Sequence, residues 1–184
     1  MTREDRTGRD ARESGPTGVW PLDHTADIGI EVEAPTLNEL FRRAGAGSLW
    51  LAVGVDAWPE EEVPSGSFPE GGTGPGHGEG GRMAAHAKRP DTAGAEERSL
   101  TLEEDDLPSL LRSWCRELLY WNEVEGFLAT EVTELEVAGT GLRARIRGQA
   151  APREPLREIK GVTWHGLRVE SRKDGWFARI IYDV

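Results

Sequence analysis

Two stretches at opposite ends of the 184-residue chain hold residue types that could do chemistry. Near the start, His24-Thr25-Ala26-Asp27-Ile28-Gly29-Ile30 sets an imidazole and a carboxylate at the mouth of an apolar strand, with a glycine beside them. At the other end the sequence stops at Asp183-Val184, directly after a predicted strand, so a free terminus adds a second kind of carboxylate. With reference pKa values of about 3.9 for aspartate and 3.3–3.7 for a terminal carboxyl, both are ionised at neutral pH. If Asp27 joins them, three anions share one corner. Two unit charges about 4 Å apart repel by roughly 4 kcal/mol at an effective dielectric of 20, so such a cluster needs a cation. All-oxygen donors select hard ions, Ca²⁺ first with Mg²⁺ or Mn²⁺ as alternatives, over zinc. Nothing in the primary pattern forces the two ends together, and from spacing alone Asp27 capping a turn beside a solvated terminus is the simpler reading.

A third stretch, Glu158-Ile159-Lys160-Gly161-Val162-Thr163-Trp164-His165-Gly166, carries a lysine and a histidine. On a strand, Lys160, Val162 and Trp164 share one face and Ile159, Thr163 and His165 the other. Lys160 and His165 then point apart unless a kink at Gly161 or Gly166 re-aims one of them. A lone strand histidine is more often structural, and a strand lysine usually faces solvent. Enzyme machinery is otherwise missing from the sequence. It holds no Walker loop, no G-x-S-x-G elbow, no dinucleotide fingerprint and no CxxC pair. The single cysteine, Cys115, lies in an apolar helical run, which suits a small buried hydrophobe better than a nucleophile.

The elements that must position these residues follow from periodicity. Ile28, Ile30 and Val32 alternate with Gly29, Glu31 and Glu33, the period of a half-buried strand. Thr36 and Glu39 form a capping-box signature for a first helix, with Leu37, Leu40, Phe41, Ala44, Ser48 and Leu51 on its apolar stripe. Gly45 and Gly47 weaken that helix but would let it approach a sheet closely. Asp105-Asp106-Leu107-Pro108 caps a second, wider-striped helix through Trp121, read as the central one of the core. Strands are predicted at 99–102, at 127–137 and 142–146 around Ala138-Gly139-Thr140-Gly141, over 158–170, and from Trp176 to Tyr182 after Lys173-Asp174-Gly175. The resulting class is α+β, a largely antiparallel sheet or sheets with two main helices packed against them.

Domain organisation is simple. Residues 1–18 read as a disordered tail and 19–184 as one domain, interrupted at about 59–98 by a disordered insertion rich in Gly, Pro, Glu and Ser. His77 and His86 in that insertion read as solvated. The net charge of −11 argues against strong direct binding of nucleic acid, which requires clustered Lys and Arg. The lone cysteine fits a reducing compartment, and no run is apolar enough to be a secretory signal or to span a bilayer. A cytoplasmic protein is the expectation, of a self-association state that the sequence leaves open.

Four colinear blocks give this pattern a specific resemblance: Asp23 to Ile30, Leu118-Leu119-Tyr120 leading into Glu123-Val124-Glu125-Gly126-Phe127, Glu158 to Gly166, and Asp183-Val184. Together they resemble the archease family, over about Trp20 to Val184 and in the family's order. Departures are the charged tail, the insertion, and Glu123-Val124 where the family pattern has Asp-Thr. The resemblance implies a non-catalytic partner of the RtcB-type RNA ligase, which joins a 3′-phosphate or cyclic phosphate end to a 5′-hydroxyl end. It implies promotion of ligase guanylation and multiple turnover in tRNA splicing or RNA repair. It further implies that Asp27, Asp183 and the carboxylate of Val184 bind a divalent cation. Lys160 would be a partner-activating residue, with His24 and His165 as weaker candidates. Alternatives from other classes are a metal-dependent phosphoesterase using Asp27, Asp183 and His165, and a general chaperone or adaptor.

Overall fold

The computed structural model describes residues 18–23, 28–54, 95–151 and 156–184. In chain order the elements are β1 (Val19–Asp23), β2 (Ile28–Ala34), α1 (Leu37–Val53), β3 (Glu96–Glu103) and α2 (Leu107–Glu123). They continue with β4 (Phe127–Ala138), β5 (Gly141–Ala150), β6 (Gly161–Val162), β7 (Arg168–Arg172) and β8 (Gly175–Asp183). Every strand pairing is antiparallel. One sheet runs β1-β2-β8, with β6 and β7 both on the far side of β8; the other runs β3-β5-β4. The α+β class expected from the pattern is the one observed.

The local reasons are those the residues supply. Pro21 sits in β1, an edge strand, where a missing N–H costs no ladder bond. The Thr36 hydroxyl accepts from Glu39 N at 3.2 Å and starts α1. Glu39 does not return the favour as a capping box would: its carboxylate accepts from Arg43 Nε at 2.8 Å instead. Asp106 accepts from Ser109 N at 2.7 Å and starts α2, with Pro108 in the first turn. Gly139, at φ 61°, closes the two-residue turn between β4 and β5 in the left-handed region that glycine tolerates.

The two helices pack on each other, and each touches strands of both sheets, so one core joins all layers. α1 is more buried than its stripe predicts, since Ala44 through Leu49 are all inside. A Cβ on Gly47 would come within 2.9 Å of Ile30 and Val19, so this glycine does allow the close approach of α1 to β1 and β2. Trp114 of α2 is fully buried, and its indole N–H donates to Phe41 O of α1 at 2.8 Å.

Two sequence expectations change. β3 begins at Glu96, inside the range assigned to the insertion, because Arg98 is held there. Its guanidinium lies 4.1 Å from the Phe127 ring centroid and pairs with Glu96 and Glu125. The stretch 158–170 is not one strand: Gly166, at φ 67°, and the Leu167 N–H to Trp164 O bond form a turn between β6 and β7. The rest of the expected insertion and the N-terminal tail up to residue 17 lie outside the described residues.

Trp114 makes the joint between the helices a testable one. Trp114→Ala should cost about 3–5 kcal/mol, as large-to-small changes in closed cores do. Trp114→Phe should cost less, about 1–3 kcal/mol, from the lost indole N–H bond and the smaller ring, since Phe41 O keeps its helical partner. Urea unfolding midpoints of the three proteins check the order.

Candidate functional site

The candidate site is built on the last turn of register of β8. Tyr182 lies between Ile28 of β2 and Val162 of β6, and is fully buried. Its phenol is 2.6 Å from Ser48 Oγ, and Ser48 in turn donates to Ala44 O at 2.8 Å. With the serine proton committed to Ala44, the tyrosine is the donor to Ser48. Burial, together with the neighbouring Cys115, drives the Tyr182 phenol well above its ordinary pKa, and burial pushes the Cys115 thiol up to about 12. Both groups therefore stay neutral and inert at physiological pH, in keeping with the structural role expected for Cys115.

β8 is covered on both faces here, Ile181 and Tyr182 both being buried, and Asp183 is the residue at which the strand emerges and becomes exposed. Lys160 meets the same end of β8 twice. Its backbone N–H donates to Asp183 O at 2.8 Å and its Nζ donates to Val184 O at 3.1 Å. Gly161 is the register partner of Asp183. Lys160, Asp183 and Val184 are thus one cluster.

α2 holds this segment from its other side. Arg112 Nε donates to Val162 O at 2.7 Å, and the Glu123 carboxylate accepts from Ile159 N at 3.0 Å. Burial raises the Glu123 pKa, with the Ile159 N–H opposing it and Glu158 adding to it. Ile159 and Val162 are both buried while Lys160 is exposed, so the alternation assumed for a strand here fails. His165 is exposed and lies in the turn beyond β6; its side chain joins neither Lys160 nor the Asp183 end by a hydrogen bond among the described residues. His24 and Asp27 lie outside the described residues, although Asp27 is one peptide bond from Ile28, the register partner of Tyr182.

Among the described residues no three His, Cys, Asp or Glu side chains converge as metal ligands. Asp183 and Val184 supply oxygen donors only, the kind a hard cation prefers, but too few to satisfy one without further ligands. The sequence reading missed four residues that hold the cluster: Ser48, Tyr182, Arg112 and Glu123. Ser48, a hydroxyl on the apolar stripe of α1, was the visible signal that a buried polar partner would be needed.

The model of the archease protein family matches residues 21–66 and 81–184. The chain belongs to the archease family. Protein archease of Methanosarcina mazei is 35% identical over 171 residues, which cover 89% of this chain and 93% of that protein. Protein archease of Thermococcus gammatolerans is 27% identical over 169 residues, 88% and 95% of the two chains. The solution structure of Methanobacterium thermoautotrophicum protein 1598 aligns with a TM-score of 0.53 at 19% identity, covering 91% of this chain and 99% of that one. The crystal structure of a Thermotoga maritima archease, described as a possible chaperone, aligns with a TM-score of 0.50 at 17% identity, covering 90% of this chain and 96% of that one. Like other archeases, this one shares the fold of these two structures. Among its described residues no helix is long and apolar enough to cross a membrane.

The raised pKa of Glu123 gives a prediction for this archease. A carboxyl whose folded-state pKa lies above its ordinary 4.5 binds protons better when folded. Stability from this group therefore rises as pH falls through the folded pKa and is complete below the unfolded one. Glu123→Gln keeps an acceptor for Ile159 N–H and carries no charge. It is expected to match or exceed the parent in stability at neutral pH, with the advantage vanishing towards pH 4, in thermal melts across that range.

Proposed function

We propose that this archease is a non-catalytic activator of an RtcB-type RNA ligase, promoting guanylation of the ligase and its multiple turnover in tRNA splicing or RNA repair. The observation that supports it most is the outward presentation of Asp183 and Val184, with Lys160 fastened to both, at the end of a strand locked into the core. An accessory protein that works inside another protein's active site needs charged groups on a rigid tip, because every rotor left free costs binding energy on docking. Here the strand supplies the rigidity and the final residues supply the charge.

In this reading Asp27, Asp183 and the carboxylate of Val184 hold a divalent cation, Ca²⁺ foremost. Once bound, that ion supplies a fixed positive charge able to polarise a phosphoryl oxygen. Lys160 orients the terminus and offers its ammonium to the partner, while His24 and His165 are further contacts. The acidic body, at −11, favours encounter with a basic, RNA-binding ligase in the cytoplasm.

The Thermotoga maritima relative is described as a possible chaperone, which suggests a second reading, general assistance to folding. That reading requires neither metal nor a particular partner. Guanylation and multiple-turnover ligation by the cognate ligase, with and without this protein, separate the two. Asp27→Ala and Asp183→Ala should each abolish stimulation with little change in melting temperature. Lys160→Ala should reduce it at least tenfold. Full stimulation by the Asp27 variant would sink the proposal, and turnover of a phosphate ester by the purified protein alone would replace it with a hydrolase.

A further inference from the structure

The exposed apolar side chains of this molecule are not scattered. Among the described residues the exposed large hydrophobics are Tyr120 (46%), Val124 (66%), Leu156 (70%) and Trp164 (61%); Leu156 lies against Gly54 at the end of α1, and the other three lie on or beside α2. Tyr120 and Val124 stand one turn apart on α2, continuing the ridge of Arg112 and Arg116. The segment 156–164 runs beside that ridge, tied to it by the Glu123–Ile159 and Arg112–Val162 hydrogen bonds. At its end the Arg112 guanidinium lies 4.5 Å from the centroid of the Trp164 ring.

Single exposed apolar residues need no explanation, but a contiguous set bordered by charge marks an interaction surface. What sets the arginines of the ridge apart is their closeness to one another and to the Trp164 ring. Arg42, Arg43, Arg98, Arg145, Arg147 and Arg172 each pair with a glutamate, while Arg143, Arg157 and Arg168 form no ion pair among the described residues. Arg112 and Arg116 have no carboxylate within salt-bridge distance among the described residues, and after desolvation the chief influence lowering the Arg112 pKa is Arg116 itself. Glu104 acts on Arg112 more weakly, its carboxylate accepting from Ser113. In a chain with 33 acidic residues and 22 basic ones, two adjacent arginines without carboxylates are poised for an anion from outside. Tryptophan, tyrosine and arginine are also the residues that most often dominate binding energy at protein interfaces.

We propose that the ridge Arg112-Arg116-Tyr120-Val124, with Trp164 alongside, is the docking face for the protein on which the terminal site acts. The partner surface it fits is apolar at its centre, with a notch for the Trp164 indole and carboxylates facing Arg112 and Arg116. This rests on the activator reading above, and continuity carries it there: Lys160 lies in the same segment, between Leu156 and Trp164. Residues 112 to 124 span about 18 Å at 1.5 Å per residue, a length suited to one side of a standard interface. Arg112 stacked on Trp164 holds the indole in place before the partner arrives, which lowers the ordering cost of docking.

The test is a titration of the cognate ligase with the full chain and its variants, read as Kd. Trp164→Ala and Arg116→Glu should each raise Kd at least tenfold, and Trp164→Phe should fall between Ala and the parent. Lys173→Glu, at the opposite end of β8, is the control and should leave Kd within twofold. Thermal melts identify any variant that fails to fold; Trp164→Phe and Arg116→Glu then carry the comparison. Wild-type binding and stimulation with all variants within twofold would overturn the docking face and leave the activator reading standing. A wild type that neither binds nor stimulates the ligase would overturn both. Two other outcomes reassign the ridge and overturn the proposal: a drop in the chain's own mass in solution on Trp164→Ala, or Trp164-dependent binding of labelled single-stranded RNA to the chain alone.

Discussion

The hydroxyl contact between Tyr182 and Ser48 is the constraint on which the candidate site depends. It ties the last strand to the first helix inside a dry core, where a polar group without a partner would cost about 1–3 kcal/mol. Each hydroxyl is satisfied only if β8 sits at one height along α1. That height places Tyr182 between Ile28 and Val162 and leaves Asp183 as the first residue out. A slip of one residue would send the Tyr182 side chain to the other face of the sheet, away from Ser48.

The second helix performs a complementary task. Arg112 and Glu123, eleven positions apart on α2, reach main-chain groups of Val162 and Ile159 that flank Lys160. β6 is only two residues long, too short to fix a lysine by strand pairing alone. Side chains of the helix take over what a longer ladder would have done, and β8 holds the same segment from its other edge. Lys160 is positioned by both layers of the protein.

Charge is distributed so that short-range and long-range effects differ. The chain is acidic overall, yet the flank formed by α2 and the 156–164 segment carries two crowded arginines, a lysine and exposed aromatic rings. Screening limits exposed charges to about 8–10 Å in physiological salt, so a partner at contact senses this flank separately from the net charge. An acidic protein can therefore present, at contact range, an apolar flank of mixed charge that carries arginines as well as carboxylates.

Period and capping chemistry alone determined both helices, the β4–β5 and β7–β8 hairpins and the antiparallel α+β class, because these features depend on residues near one another in sequence. Thr36, Asp106 and Gly139 act locally, and they were legible for that reason. The grouping of Lys160 with Asp183 and Val184 was not legible, since spacing could not say that residues twenty or more apart would meet. Tertiary structure decided the rest. It broke 158–170 at Gly166, where a left-handed turn outweighed an alternating pattern, and so removed His165 from the faces a strand would have given it. It also recruited Ser48, Arg112 and Glu123, whose partners are main-chain or hydroxyl groups far away in sequence. A hydrogen bond to a backbone atom leaves no mark on the identity of the residue that supplies it, and that is why the clamp around Lys160 became visible only when the chain was folded.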